Sequence, residues 1–434
     1  MTRVAVIGGG WAGAAAALTL ARAGVRVTLF EATSAAGGRA RGIEKDGRCF
    51  DNGQHLLLGA YERTLAMIAS VHTAPEEVVL RSPLRLNSAP GLTKPLRLRA
   101  PRIVAPLHLL VAILGASGLS FTDKISTLLW AARNLRTGGS LWSDEATVAE
   151  LISRQPEAAR RLLWEPLCVA ALNTPAASAS ARVFLHVLQQ AFNNGSRASD
   201  LIIPRVDLSQ LLPVPALIEV ARLGGKVKMA TVVMSIRQSE NEVVVSSRDD
   251  QLGFAAVVIA TGPQHVARLL GDDPAERALA ATLKTLQYEP ISTLYFEFAT
   301  STPTESTDML MLDGDPGQWL FWQRQANGQW RASIVISAHH RQRDDGTLAA
   351  SALAQLRRSY ALSEPSWQLV ITEKRATYAC TPNQRRRLAA LPKRIGKVFF
   401  AGDWCFPELP ATLEAAVISG ENAAHAILTD SAEG

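Results

Sequence analysis

Three glycines, Gly8, Gly10 and Gly13, stand directly after the apolar run Val4-Ala-Val-Ile7 and ahead of an alanine-rich stretch. In the order strand, glycine turn, helix, the unpaired N–H groups of the helix start face the phosphates of a dinucleotide. Gly8 would permit the tight turn, Gly10 the approach of backbone to pyrophosphate, and Gly13 close packing of helix on sheet. Trp11 and Ala12 fall inside the same turn and count with them as binding residues. Glu31 ends the next β-like run about twenty residues on, where a carboxylate accepts both hydroxyls of an adenosine ribose and disfavours a 2′-phosphate. The competing possibility is a glycine-rich turn in an unrelated α/β protein.

Two later segments repeat this chemistry. Gly37-Gly38-Arg39-Ala40-Arg41 combines close backbone approach at Gly38 with cations, Arg39 and Arg41, for a second phosphate contact. Near the other end, Phe399-Phe-Ala-Gly402-Asp403 reads as a strand closing in Gly-Asp, followed by Pro410-Ala411-Thr412-Leu413 and an alanine-rich helix over 411–428. A carboxylate there suits a ribityl hydroxyl, and the helix start suits the electron-rich edge of a reduced flavin. The cofactor expected is therefore FAD rather than NAD.

The elements that must position these residues follow from periodicity. Residues 3–31 read as one βαβ unit. The stretch 103–192 turns helical, with Ile125–Leu135 and Ala181–Phe192 the clearest pieces. After Gly224-Gly225 come strands over 227–236, 242–247 and 255–260, then 291–298, 319–323 and 332–337 as an antiparallel sheet, and a short buried strand over 398–401. At 434 residues the chain exceeds what one core usually serves. The expected division is a discontinuous dinucleotide-binding domain (1–58, 205–265, 392–434) and a substrate domain (59–204, 266–391), with 100–192 largely helical.

Composition narrows the classes. Apolar residues make up 47% and charged residues 19%, as in globular proteins. A net charge of +6 over this length reads as solvated surface, so no nucleic-acid partner is expected. Cys49, Cys168, Cys380 and Cys405 form no CxxC pair, so no metal site or disulfide framework is expected, and with no leader before the first strand the expected location is the cytoplasm. The apolar stretch 103–121 is broken by Pro106, His108, Gly115 and Gly118, so it makes a poor membrane span. With Lys94, Arg97, Arg99 and Arg102 just before it, it reads either as a lipid-surface segment or as an ordinary core helix.

Taken together these motifs resemble the flavin amine oxidase and carotenoid desaturase superfamily, across nearly the whole chain. The resemblance implies an α/β fold, a glutathione-reductase-like FAD-binding Rossmann domain with an inserted substrate domain of mixed antiparallel sheet and helices. It also implies that Val233 meets adenine through its backbone and that Val257-Val-Ile-Ala-Thr-Gly262 is a further cofactor-domain strand and turn. A narrower likeness lies in Asp51-Asn-Gly53-Gln54-His55-Leu-Leu-Leu-Gly59, Pro166–Thr174, Ser199–Asp207 and Leu409–Glu414. These resemble the squalene-associated FAD enzymes of bacterial hopanoid synthesis, the hydroxysqualene dehydroxylases. That likeness implies hydride delivery from reduced FAD to a long-chain isoprenoid, peripheral contact with the inner face of the cytoplasmic membrane, and coupling to enzymes that make hydroxysqualene.

Loss of an allylic hydroxyl calls for an acid in a dry cavity. His55, with Gln54 beside it after the Gly53 turn, and Asp207 or Asp200 from the opposite side are the candidates, a structural histidine being the alternative. Gly53, Gln54 and His55 also count as cofactor neighbours. The lysine expected near the flavin of monoamine oxidases is replaced on the strand 291–298 by Ser292, which argues against amine oxidation. Cys380 is either a site for covalent flavin attachment or a buried thiol. The rival functions are oxidative desaturation of another isoprenoid and non-catalytic binding of flavin or lipid.

Overall fold

The fold was read from a computed structural model that describes residues 2–92, 95–137, 141–299, 309–325, 327–339 and 344–433. Lys94 lies outside the described residues. The strand Arg3–Ile7 is buried along four of its five residues, as a central parallel strand must be when both faces are covered. It lies between Arg26–Phe30 and Ala256–Ile259, with Ile7 opposite Phe30 and Ile259. Lys226–Lys228 extends one side and Val398–Phe400 the other, all parallel, and Arg394–Ile395 closes the edge antiparallel. Alanine dominates the helix Trp11–Arg22 because it is pressed between this sheet and the helix Leu413–Glu433; its four consecutive alanines are fully buried.

A five-stranded antiparallel sheet stands apart from this layer. Its order is Leu310–Met311, Trp319–Arg324, Trp330–Ser337, Tyr288–Phe298 and Trp367–Tyr378. One side packs on the helix Asp345–Ser359, and the other shares a core with a helical block between residues 107 and 193. The architecture is thus α/β, a Rossmann-like cofactor layer with a mixed sheet-and-helix substrate region.

Three expected elements differ. The single strand over 227–236 is two strands in two sheets, Lys226–Lys228 and Val233–Gln238, parted by a turn in which Ala230 has φ +51°. The segment 103–121 is no continuous helix: Leu107–Gly115 ends at a turn through Gly118, and Phe121–Thr137 begins a new one. The terminal helix starts at Leu413, two residues later than expected, because Pro410–Thr412 run along the cavity wall. No helix among the described residues is long and apolar enough to cross a membrane.

Candidate active site

A single continuous cavity of about 800 Å³ runs from the glycine turn at the first strand to the helical block. At its nucleotide end the turn is as tight as the motif requires. Gly8 sits at φ +109°, and a Cβ on Gly13 would stand 1.9 Å from the Gly8 carbonyl oxygen, so neither position admits a side chain. Gly8, Gly10, Trp11 and Ala12 line the cavity, whereas Gly13 lies behind it as the helix–sheet contact. Glu31 also lines it. Its Oε2 accepts from the Gly9 N–H at 2.7 Å and its Oε1 from the N–H and hydroxyl of Thr33 at 2.8 Å. A carboxylate has about four acceptor positions, so lone pairs remain for ribose hydroxyls. Val233 follows Thr231 and Val232 along the same wall. Thr261 Oγ1 is buried in this wall with no hydrogen-bond partner, an orphan that a nucleotide oxygen would satisfy.

The middle of the cavity joins residues from both ends of the chain. Gly37, Gly38, Arg39 and Arg41 meet Gly402, Asp403, Ala411, Thr412 and Leu413. Arg39 donates to Asp403 Oδ2 at 2.7 Å and to the Ala376 carbonyl at 2.8 Å, a bridge between beginning and tail. The strand Arg48–Asp51 then turns outward and delivers Asn52, Gly53, Gln54 and His55 to the wall.

His55 does not suit the acid role. Its Nδ1 lies 2.7 Å from the Gly53 carbonyl, which can only accept, so the ring proton resides there and Nε2 is left an acceptor. Burial, and then the Arg39 charge, push its pKa below the ordinary imidazole range despite the opposing Gly53 contact. At neutral pH the ring is neutral. Asp207 is also corrected: it lies outside the cavity lining, and its carboxylate caps the short helix Leu208–Leu211 by accepting from the N–H groups of Ser209 and Gln210. Asp200 is buried against Arg81 at 3.2 Å and likewise does not line the cavity. Ser292 faces away, bonded to Thr372 and His339, while its neighbour Ile291 lines the wall. Cys380 is buried outside the lining, its thiol pushed up to about 12 by burial.

Two lining residues, and one just behind the wall, had no role assigned from sequence. Tyr61 stands just before the helix Glu62–Val71, and burial, with help from Glu414, pushes its phenol well above the ordinary value. It therefore keeps its proton across the physiological range. Asn173 occupies the left-handed region at φ +44° after the helix Glu165–Leu172. Its side chain donates to Thr377 Oγ1 at 2.9 Å and accepts from the Ala338 N–H at 2.8 Å, tying the helical block to the sheet. Asn tolerates this conformation at a helix end, a signal that stands beside its place in the segment Pro166–Thr174. Asp51, just behind the wall, accepts from the Leu208 N–H at 2.8 Å, and burial raises its pKa to about 7.

The far end is apolar. Leu84 and Leu86, Val187, Leu188 and Phe192 from the helix Ala181–Asn193, and Trp319 and Phe321 from the antiparallel sheet enclose it. No lysine is among the described residues that line the cavity.

The sequence pattern of the flavin containing amine oxidoreductases matches residues 11–428. The chain is similar to the hydroxysqualene dehydroxylase of Rhodopseudomonas palustris, 30% identical with 98% of each chain covered. It is likewise similar to the hydroxysqualene dehydroxylase of Zymomonas mobilis, 29% identical over 98% of this chain and 99% of that one. Among solved structures, putrescine oxidase bound to putrescine superposes with a TM-score of 0.75 over 99% of both chains at 15% identity, a likeness of fold alone. With this match and the site assembled from both ends of the sequence, the chain belongs to the flavin containing amine oxidoreductase family and is an FAD-dependent oxidoreductase.

Proposed function

We propose that this enzyme binds FAD in the glycine-lined part of the cavity and reductively dehydroxylates hydroxysqualene to squalene in the cytoplasm. The observation that carries the proposal is the cavity itself, which runs from the glycine turns, past a polar middle, into an end lined mainly by apolar side chains. A long hydrocarbon is favoured there because each methylene removed from water contributes about 0.8 kcal/mol. The near full-length likeness to three hydroxysqualene dehydroxylases supports the same substrate class.

Bound and reduced, FAD supplies the hydride. Overall, one allylic C–O bond breaks, one C–H bond forms, and the hydroxyl leaves as water with one added proton. The chain's own residues manage the oxygen and the water. Tyr61, held protonated by burial, is the hydrogen-bond donor for the departing oxygen. His55, neutral and with Nε2 free of its proton, acts as an acceptor that orients the hydroxyl. Glu31 and the turn at Gly8 and Gly10 hold the adenosine and pyrophosphate, and Val233 lies beside the adenine. Arg39, fixed by Asp403, holds the middle of the cofactor. Gly38, Arg41, Gly53, Gln54, Ala411, Thr412 and Leu413 complete its surroundings.

The test is anaerobic incubation of the reduced holoenzyme with hydroxysqualene, followed by extraction and mass analysis. Squalene formed in step with flavin reoxidation is expected. Unchanged substrate beside a flavin that stays reduced would overturn the proposal, and gain of a double bond by a saturated isoprenoid offered to the oxidised enzyme would favour a desaturase.

A further inference from the structure

Nine of the fourteen large hydrophobic side chains exposed among the described residues fall between positions 103 and 129. On the helix Leu107–Gly115 the outward residues are Leu107, Leu110, Val111 and Leu114, one stripe at helical spacing. Phe121, Ile125 and Leu129 continue it along the helix Phe121–Thr137, Phe121 being 73% and Leu129 67% exposed. Val104, at 75%, extends it on the approach side. Scattered apolar side chains need no explanation, but a contiguous field of this kind marks a surface that is covered in use.

The charges beside the stripe are basic with one exception. Arg97, Arg99 and Arg102 are exposed just before it, and Lys124 reaches from the second helix to the Leu114 carbonyl at 2.9 Å. The single carboxylate within 103–129, Asp123, accepts locally from the Ser120 N–H at 2.8 Å. A second copy of the chain related by a two-fold axis would bring these cations against one another. An anionic lipid surface complements both the apolar field and its basic border.

The inner side of the same helix backs onto the cavity. Ala112 and Ile113 share a core with Leu84, Leu86 and Leu188, all three of which line it. His108, also turned inward and buried, lies 3.3 Å from the hydroxyl of Ser199, another lining residue. The exposed stripe is therefore separated from the apolar end of the cavity by the helix, its inward side chains and the lining residues they share a core with.

We propose that residues 103–129 dock on an anionic bilayer leaflet, apolar stripe among the acyl chains and arginines among the headgroups. The helix Leu107–Gly115 is then the portal beneath which an isoprenoid passes between leaflet and cavity without meeting water. The docking stands on the surface alone, whereas the passage rests on the substrate class proposed above.

The experiment is flotation of the holoenzyme with phosphatidylcholine vesicles, with and without phosphatidylglycerol. It compares the parent with Val111→Gln/Leu114→Gln and with Arg99→Glu/Arg102→Glu. The parent is expected to float with the anionic vesicles, and each double variant to lose about tenfold or more of that binding, only the arginine-dependent part being sensitive to salt. Flavin absorbance and turnover of detergent-dispersed hydroxysqualene should be unchanged in Val111→Gln/Leu114→Gln, while turnover of vesicle-embedded substrate falls by a similar factor. A parent that stays unbound with both vesicles, variants that float as the parent does, or light scattering that finds a dimer abolished by Val111→Gln/Leu114→Gln would each overturn the proposal. Flotation uses no substrate, so a failed dehydroxylation assay leaves the docking result standing.

Discussion

At the scale of single residues, the proposed mechanism divides its proton work between a phenol that keeps its proton and an imidazole that lacks a second one. Tyr61→Phe removes the donor while keeping the ring, and it is expected to lower kcat by roughly 10²-fold with FAD content unchanged. Stopped-flow reoxidation of the reduced variant measures it, and a parental rate would remove Tyr61 from the mechanism. Asp51 supports a second prediction. Its folded pKa of about 7 lies above the ordinary 3.8, so the folded state holds a proton that the unfolded chain gives up. The associated stability is present in acid and is lost as pH rises from about 4 through 7. Asp51→Asn keeps an acceptor for the Leu208 N–H and removes the titration. Its melting profile should lie above that of the parent at pH 8, by roughly 2 kcal/mol after allowing for partial exposure, and converge with it toward pH 4. Parallel pH profiles for the two proteins would count against it. Arg39 and Asp403 were legible because their glycine neighbours announce a phosphate or a strand end. Tyr61 was not, since one aromatic residue ahead of a helix has no spacing to betray it. Asp207 misled for a related reason: a carboxylate placed for chemistry and one placed to cap a helix look the same in a sequence.

Among the elements, the first helix is fixed by what it cannot accommodate. Gly13→Ala would drive a Cβ into the Gly8 carbonyl, so the turn must open and the protein should purify without flavin absorbance. Full occupancy would show that the turn yields. The helix Glu62–Val71 is capped from far away in sequence: the Glu414 carboxylate accepts from the Arg63 N–H at 3.0 Å and the Thr64 N–H at 2.8 Å. Glu414→Ala should cost about 1–2 kcal/mol in denaturant melts, since one buried and one part-buried donor lose their acceptor. The buried parallel strands were readable from unbroken apolar runs. The division of 227–236 was hidden because β-branched residues flank the turn on both sides and alanine at a positive φ gives no warning. Likewise, apolar periodicity over 103–121 revealed the helix but could not tell which face meets protein.

For the molecule as a whole, the five-stranded antiparallel sheet is fastened to the strand Arg48–Asp51 by a charge cluster. Glu297 on Tyr288–Phe298 accepts from Arg331 at 2.7 Å and from Arg48 at 2.8 Å. Burial pulls its pKa upward, yet the two arginines prevail and leave it below the usual range. Glu297→Gln leaves two cations without their counter-charge and should cost about 3 kcal/mol, read as a lower urea midpoint at an unchanged m-value. The return of the chain to its first sheet was foreseeable from the Gly-Asp strand end, whereas the strand order of the antiparallel sheet was not, because pairing partners leave no local trace. That return constrains biosynthesis. Arg39 must wait for a partner 364 positions later, and Ala256–Ile259 has no neighbour on one side until Val398–Phe400 arrives. Translation halted upstream of Val398 would yield a polypeptide that exposes a raw sheet edge and has half a pocket, so retained coenzyme reports that the ribosome passed that codon.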